Sequence, residues 1–142
     1  MLNGWSNFEG TEAQKWLGIG IDIIKQELPT QVLPDGGNFE RSPMYHAIFL
    51  EDLLDLINLA GAYPGVIGCE QVNQLRATAI KMLKWLQAMC HPDGEISLFN
   101  DAAFDVAPSV AELDRYARRV LVDVAPKVPS PLVQLRESGY VR

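Results

Sequence analysis

Ser42-Pro43-Met44-Tyr45-His46-Ala47-Ile48-Phe49-Leu50-Glu51-Asp52-Leu53-Leu54-Asp55-Leu56-Ile57-Asn58-Leu59-Ala60-Gly61 is the stretch that decides the fold class. Serine followed by proline is a helix start: the hydroxyl takes a free backbone N–H, and the proline loses no bond because its missing donor falls in the first turn. Ile48, Phe49, Leu53, Leu54, Leu56, Ile57 and Ala60 then recur at helical spacing, with Glu51, Asp52 and Asp55 on the polar side. Gly61 is the expected stop, and Pro64, Gly65 and Gly68 supply turn chemistry beyond it.

Similar signals lie on either side. Toward the N-terminus, Thr11-Glu12-Ala13-Gln14 reads as a capping box. It opens a helix that reaches about Glu27 and is ended by Pro29. Leu17, Ile21, Ile24 and Leu28 form its apolar stripe; Trp16, Ile19 and Ile23 widen it, so that two covered faces are expected. Toward the C-terminus, Leu75, Ala79, Met82, Leu83, Leu86 and Met89 mark a helix from about Glu70 to Cys90. Ser109 and Glu112 form a second capping box for a helix from Val110 to roughly Val122. Pro126, Pro129 and Pro131 predict an extended tail, and Gly139-Tyr140-Val141-Arg142 reads as the first residues of a strand. The class is all-α: antiparallel helical hairpins.

A weak repeat supports stacked hairpins. Leu33-Pro34-Asp35-Gly36 and His91-Pro92-Asp93-Gly94 lie 58 positions apart, and each falls between a helix and a capped helix. Two such units rarely suffice for a solenoid-like stack, because the terminal units leave apolar faces open. Missing sequence, or self-association through uncovered helix faces, is therefore expected.

The 142 residues suffice for one core. A net charge of −6 leaves no broad basic face for nucleic-acid phosphates or anionic lipid, which argues against nucleic acid and membrane as partners. An acidic polysaccharide remains compatible, since a cleft needs only local positive charge, for which Arg41 is the candidate. The N-terminal residues show no basic segment followed by an apolar run, so no signal peptide is read in this chain. Cys69 and Cys90 have neither metal-ligand nor redox spacing and are expected as two buried thiols. No cluster has metal-ligand spacing, and no cofactor is expected.

Chemistry concentrates in Pro34-Asp35-Gly36-Gly37-Asn38-Phe39-Glu40-Arg41-Ser42-Pro43-Met44-Tyr45-His46, a polar loop and first helical turn on a helical scaffold. On composition alone, Asp35-Gly36-Gly37 is a turn, Glu40 and Arg41 are solvated, and Tyr45 and His46 pack with Phe49. Adjacent on a helix, Tyr45 and His46 point about 100° apart and cannot form a simple dyad on one face.

The run from Gly36 to His46, followed by Leu50-Glu51-Asp52-Leu53-Leu54-Asp55-Leu56, resembles the heparinase II/III-like family of polysaccharide lyases. So do Pro92-Asp93-Gly94-Glu95-Ile96-Ser97-Leu98-Phe99-Asn100-Asp101-Ala102-Ala103-Phe104 and the ending Ser138-Gly139-Tyr140-Val141-Arg142. The resemblance implies an incomplete α/α toroid over residues 1–125, then an extended linker over 126–142 leading to a β-sandwich that this chain lacks. It also implies β-elimination at a uronic acid: the carboxylate is neutralised, the C5 proton is removed, and the departing O4 oxygen is protonated. A tyrosine suits the proton steps where nearby positive charge lowers its pKa from about 10.

Tyr45 matches the family's catalytic tyrosine. His46 follows it and could orient Tyr45 or contact sugar. Arg41 could bind a substrate carboxylate in two-pronged fashion, and Glu40 could hold Arg41 or line the cleft. Asn38, Asn100 and Asp101 are candidates either for sugar hydroxyls or for capping their own loops. The family's Asn-His pair, which neutralises the carboxylate, has no counterpart before Tyr45, and histidines from the sandwich side are absent as well. The isolated chain is therefore expected to hold an incomplete, inactive site. The alternative is a non-catalytic glycan-binding or structural helical module. Members of the family are often periplasmic or secreted, but the chain itself does not reveal its location.

Overall fold

The computed structural model describes residues 10–121 and 132–142. Four helices, α1 (Thr11–Gln31), α2 (Pro43–Ala62), α3 (Cys69–Ala88) and α4 (Val110–Val120), precede a small antiparallel hairpin of β1 (Gln134–Leu135) and β2 (Tyr140–Val141). The class is all-α, as the apolar spacing predicts. Among the described residues, no helix is long and apolar enough to cross a membrane.

Helix α2 begins as its sequence requires, with Pro43 in the first turn and the Ser42 hydroxyl accepting from the Tyr45 N–H. Leu50, Leu53, Leu54 and Ile57 of α2 meet Leu75, Ala79, Met82, Leu83 and Leu86 of α3. The two helices run antiparallel: His46, at the start of α2, bonds to Met82, near the end of α3. Helix α4 closes the core with Val110, Leu113 and Ala117, and the Tyr116 hydroxyl donates to Asp55 of α2 at 2.5 Å. Its capping box forms as read, with the Ser109 hydroxyl accepting from the Glu112 N–H and the Glu112 carboxylate accepting from the Ser109 N–H.

Helix α1 departs from expectation at both ends. Thr11 is already helical; Gly10 takes the cap position at φ 105° and its carbonyl accepts from Gln14, so no side-chain capping box forms. Pro29 does not end the helix, which runs on to Gln31. Both Pro29 and Lys25, whose carbonyl loses its helical donor, are exposed, so water can take the freed group while buried Leu28 anchors the last turn. Among the described residues one face of α1 is well covered: Ala13, Gly20 and Leu28 are buried, whereas Trp16, Ile19 and Ile23 remain half exposed. The thiols also divide. Cys90 is buried and donates to the Leu86 carbonyl, but Cys69, the first residue of α3, is exposed.

The 58-residue repeat is a real structural unit. In the first turn the Gly36 N–H donates to Leu33, Leu33 to Gly37, Phe39 to Gln31, and Gly37 to the Asp35 carboxylate. In the second, Gly94 donates to His91, His91 to Glu95, Ser97 to Met89, and Glu95 to the Asp93 carboxylate. Isolated bridges Val32–Asn38 and Cys90–Ile96 close the two turns, and Gly36 and Gly94 share a left-handed φ of 94° and 95°.

Of the tail read as extended, residues 122–131 with all three prolines lie outside the described residues. Residues 132–142 fold as the hairpin, which packs Leu135 and Tyr140 against Trp85 and Met89. The strand read at the chain's end pairs with a partner within the same segment.

Candidate functional site

The first turn, with its glycines, leads the chain into the loop that carries the candidate residues. Asn38 is buried and organises it: its side-chain oxygen accepts from the Glu40 N–H at 3.0 Å and its carbonyl from the Arg41 N–H at 2.9 Å. Asn38 therefore caps its loop, one of the two roles open to it. Arg41 adopts φ 58°, a left-handed conformation that costs a non-glycine residue about 1 kcal/mol or more. Its carbonyl is held by the Tyr140 hydroxyl at 3.0 Å and by the Asn100 side-chain amide at 3.2 Å. The Arg41 side chain is exposed and forms no ion pair among the described residues.

Tyr45 and His46 separate as their helical angle requires. The Tyr45 side chain is half exposed and lines a shallow groove with Asn38, Phe39, Glu40, Phe49 and Asp52. His46 lies beneath it, fully buried. Its Nδ1 accepts from the Asn38 N–H at 3.1 Å, so Nε2 carries the proton and donates to the Met82 carbonyl at 2.9 Å. Burial pushes its pKa down to about 4, although the Met82 carbonyl and the Asp35 charge favour the cation. A neutral imidazole with both nitrogens occupied cannot reach the groove; it holds the loop that does.

Of the second-loop candidates, Asn100 joins the site. At φ 50° its amide reaches the Glu40 and Arg41 carbonyls and the Tyr140 hydroxyl. Asp101, at φ 64°, is exposed and makes no bond to the tyrosine loop among the described residues. The structure thus brings Asn38, Glu40 and Tyr45 into the groove lining and ties Asn100 to the backbone of the same loop, buries His46 beneath it, and leaves the exposed Arg41 and Asp101 out of that lining. In the groove wall, partial burial and the Asp55 charge raise the Asp52 pKa.

Sequence reasoning missed the support behind this loop. The Asp35 carboxylate accepts from both the backbone N–H and the hydroxyl of Ser138, at 2.7 and 2.6 Å, and the same Ser138 oxygen accepts from the Trp85 indole N–H at 2.7 Å. Burial alone would raise the Asp35 pKa, but the Ser138 bonds and the Gly37 and Glu137 N–H groups outweigh it and hold the carboxyl below its ordinary value. Trp85 in turn stacks on His46. One signal was available: the second turn has Glu95 where the first has Gly37, and a Cβ at Gly37 would come within 2.6 Å of the Trp85 indole nitrogen.

Residues 1–121 match the family described as Heparinase II/III N-terminus. A curated relative, the "Heparin-sulfate lyase" of Bacteroides stercoris, is 33% identical over 94 residues, covering 66% of this chain and 14% of the relative. No solved structure matches the chain. With most of its length matched, including the whole tyrosine loop and both turns of the repeat, the chain belongs to the heparinase II/III N-terminal family.

Proposed function

We propose that this chain contributes the tyrosine-bearing wall of a polysaccharide lyase that cleaves uronate-containing polysaccharide by β-elimination, with a heparin-sulfate type of glycan as the first substrate to test. One observation carries the reading: Tyr45 stands half exposed over a groove in the first turn of α2, next to a loop whose Asn38 N–H, Glu40 N–H and Arg41 carbonyl are held by His46, Asn38 and Tyr140. Groups that need no reorganisation at the moment of reaction are what charge-separating chemistry requires.

In this reading Tyr45 takes the C5 proton, the C4–C5 double bond forms as the C4–O4 bond breaks, and Tyr45 returns a proton to O4. Arg41 pairs with the uronate carboxylate, and Glu40 and Asn100 border the sugar. His46 acts as a positioning residue for Tyr45. The helical hairpins form part of an incomplete α/α toroid over residues 1–125, a reading supported by the repeated turn, and residues 126–142 lead toward a β-sandwich.

A second reading, a glycan-binding module without turnover, is favoured by the burial of His46, whose two bonded ring nitrogens take its imidazole out of the groove. Titration of the chain with a heparan-sulfate-derived oligosaccharide, followed by calorimetry, tests what the two share. Arg41→Ala should weaken binding at least tenfold, by about 1.4 kcal/mol, while Tyr45→Phe leaves it within about twofold. Equal affinity of Arg41→Ala and the unchanged chain would remove Arg41 from the site. Turnover then separates the two readings.

A further inference from the structure

The two turns of the repeat serve as an internal control. Their backbone bonds correspond one for one, and in each the aspartate accepts the N–H two residues on. Asp93 is exposed and makes no further bond among the described residues, yet its turn is complete. The turn therefore does not require the second carboxylate oxygen of Asp35, which takes both donors of Ser138 from 103 positions away. That oxygen has a different task.

The C-terminal hairpin touches the tyrosine loop at two places. Ser138 grips Asp35 at its start, and Tyr140 grips the carbonyl of left-handed Arg41 near its end. Between them Trp85 links the Ser138 hydroxyl to the face of His46, which holds Asn38. We infer that the hairpin of residues 132–142 is a clasp that sets the loop carrying Arg41 and leading into Tyr45 at the start of α2, and that Asp35 and Ser138 are positioning residues through which its seating orders the candidate site. That this ordering serves uronate binding rests on the function proposed above; the coupling of hairpin to loop does not.

Asp35→Asn keeps an oxygen for the Gly37 N–H but turns an amide NH2 toward the Ser138 N–H, so it loosens the clasp and spares the turn. Ser138→Ala removes the hydroxyl, Ser138→Thr retains it, and Asp93→Asn makes the Asp35→Asn change in the turn that has no clasp. The readout is amide hydrogen exchange at Val133 and Arg142 in the hairpin, at Glu40 and Arg41 in the loop, and at Leu83 in the core.

Asp35→Asn and Ser138→Ala should speed exchange about tenfold or more in hairpin and loop together, with Leu83 unchanged and with Ser138→Thr and Asp93→Asn like the parent chain. Faster exchange in the hairpin with the loop unaltered would overturn the coupling, as would no change in either. An equal rise at Leu83 would overturn it too, by making Asp35 a residue of global stability. Affinity for the same heparan-sulfate-derived oligosaccharide is measured in parallel and should fall about tenfold in Asp35→Asn. Absence of binding by the parent chain would count against the proposed function, while the exchange data still decide the clasp.

Discussion

His46 and Trp85 stack with ring centroids 4.4 Å apart and planes 23° from parallel, and through this contact the start of α2 is joined to the end of α3 and to the hairpin beyond it. Both rings are fully buried, and each ring nitrogen is hydrogen bonded. The residue beside the exposed tyrosine is thus a structural pivot, and its chemistry sets a pH limit on the fold.

The His46 pKa falls from 6.5 to about 4 on folding because burial disfavours the cation. Between those values the unfolded chain binds a proton that the folded chain does not, so this contribution is complete above about pH 6.5 and is lost progressively as pH falls toward 4. The loss is on the order of 3 kcal/mol. An NMR titration should show the His46 ring neutral down to about pH 5, with the unfolding free energy declining over the same window. A ring that titrates near 6.5 would contradict the burial and tautomer assigned to it.

Gly36 and Gly94 separate backbone strain from packing. Both have a left-handed φ, but a Cβ at Gly36 would lie 2.5 Å from the Lys81 carbonyl oxygen, while one at Gly94 meets nothing within 4 Å. Gly94→Ala should cost about 1–2 kcal/mol, the left-handed penalty alone. Gly36→Ala should cost at least about 2 kcal/mol more, since α3 must shift or the turn must open. Denaturant midpoints of the two variants measure the difference, and equal costs would show that the first turn does not press on α3.

The capping box of α4 is exposed and independent of the site. Ser109→Ala should reduce stability by about 1 kcal/mol without changing oligosaccharide affinity. A change in affinity would mean that α4 supports the groove in a way its contacts do not suggest.

Where one face of a helix decides its packing, the sequence was readable. The five apolar positions read on α3 and Met89 at its C-cap are all buried, and Ser42-Pro43 and Ser109-Glu112 cap as their chemistry requires. The misjudged features are those where surroundings outweigh local preference. Pro29 stays helical because its side of α1 faces water, and Thr11 yields the cap to Gly10, whose φ of 105° suits glycine. Tyr45 could be singled out by its motif. Asp35 could not, because its importance comes from a serine 103 positions away, and no periodicity carries that information. Trp85 was passed over because an aromatic residue on an amphipathic helix looks like any other core residue until its indole N–H is seen to have a partner.

The central claim is that Tyr45 carries the proton steps of an elimination. The most direct measurement mixes the chain at high concentration with uronate-containing polysaccharides and follows the ultraviolet absorbance of the unsaturated product, alongside Tyr45→Phe. Tyr45 is half exposed, so the substitution should change stability by no more than about 0.5 kcal/mol. Because the chain contributes one wall of the site, the account expects at most a weak rise in absorbance with the parent chain, and expects Tyr45→Phe to abolish it. A rise that persists in Tyr45→Phe would contradict the role given to Tyr45.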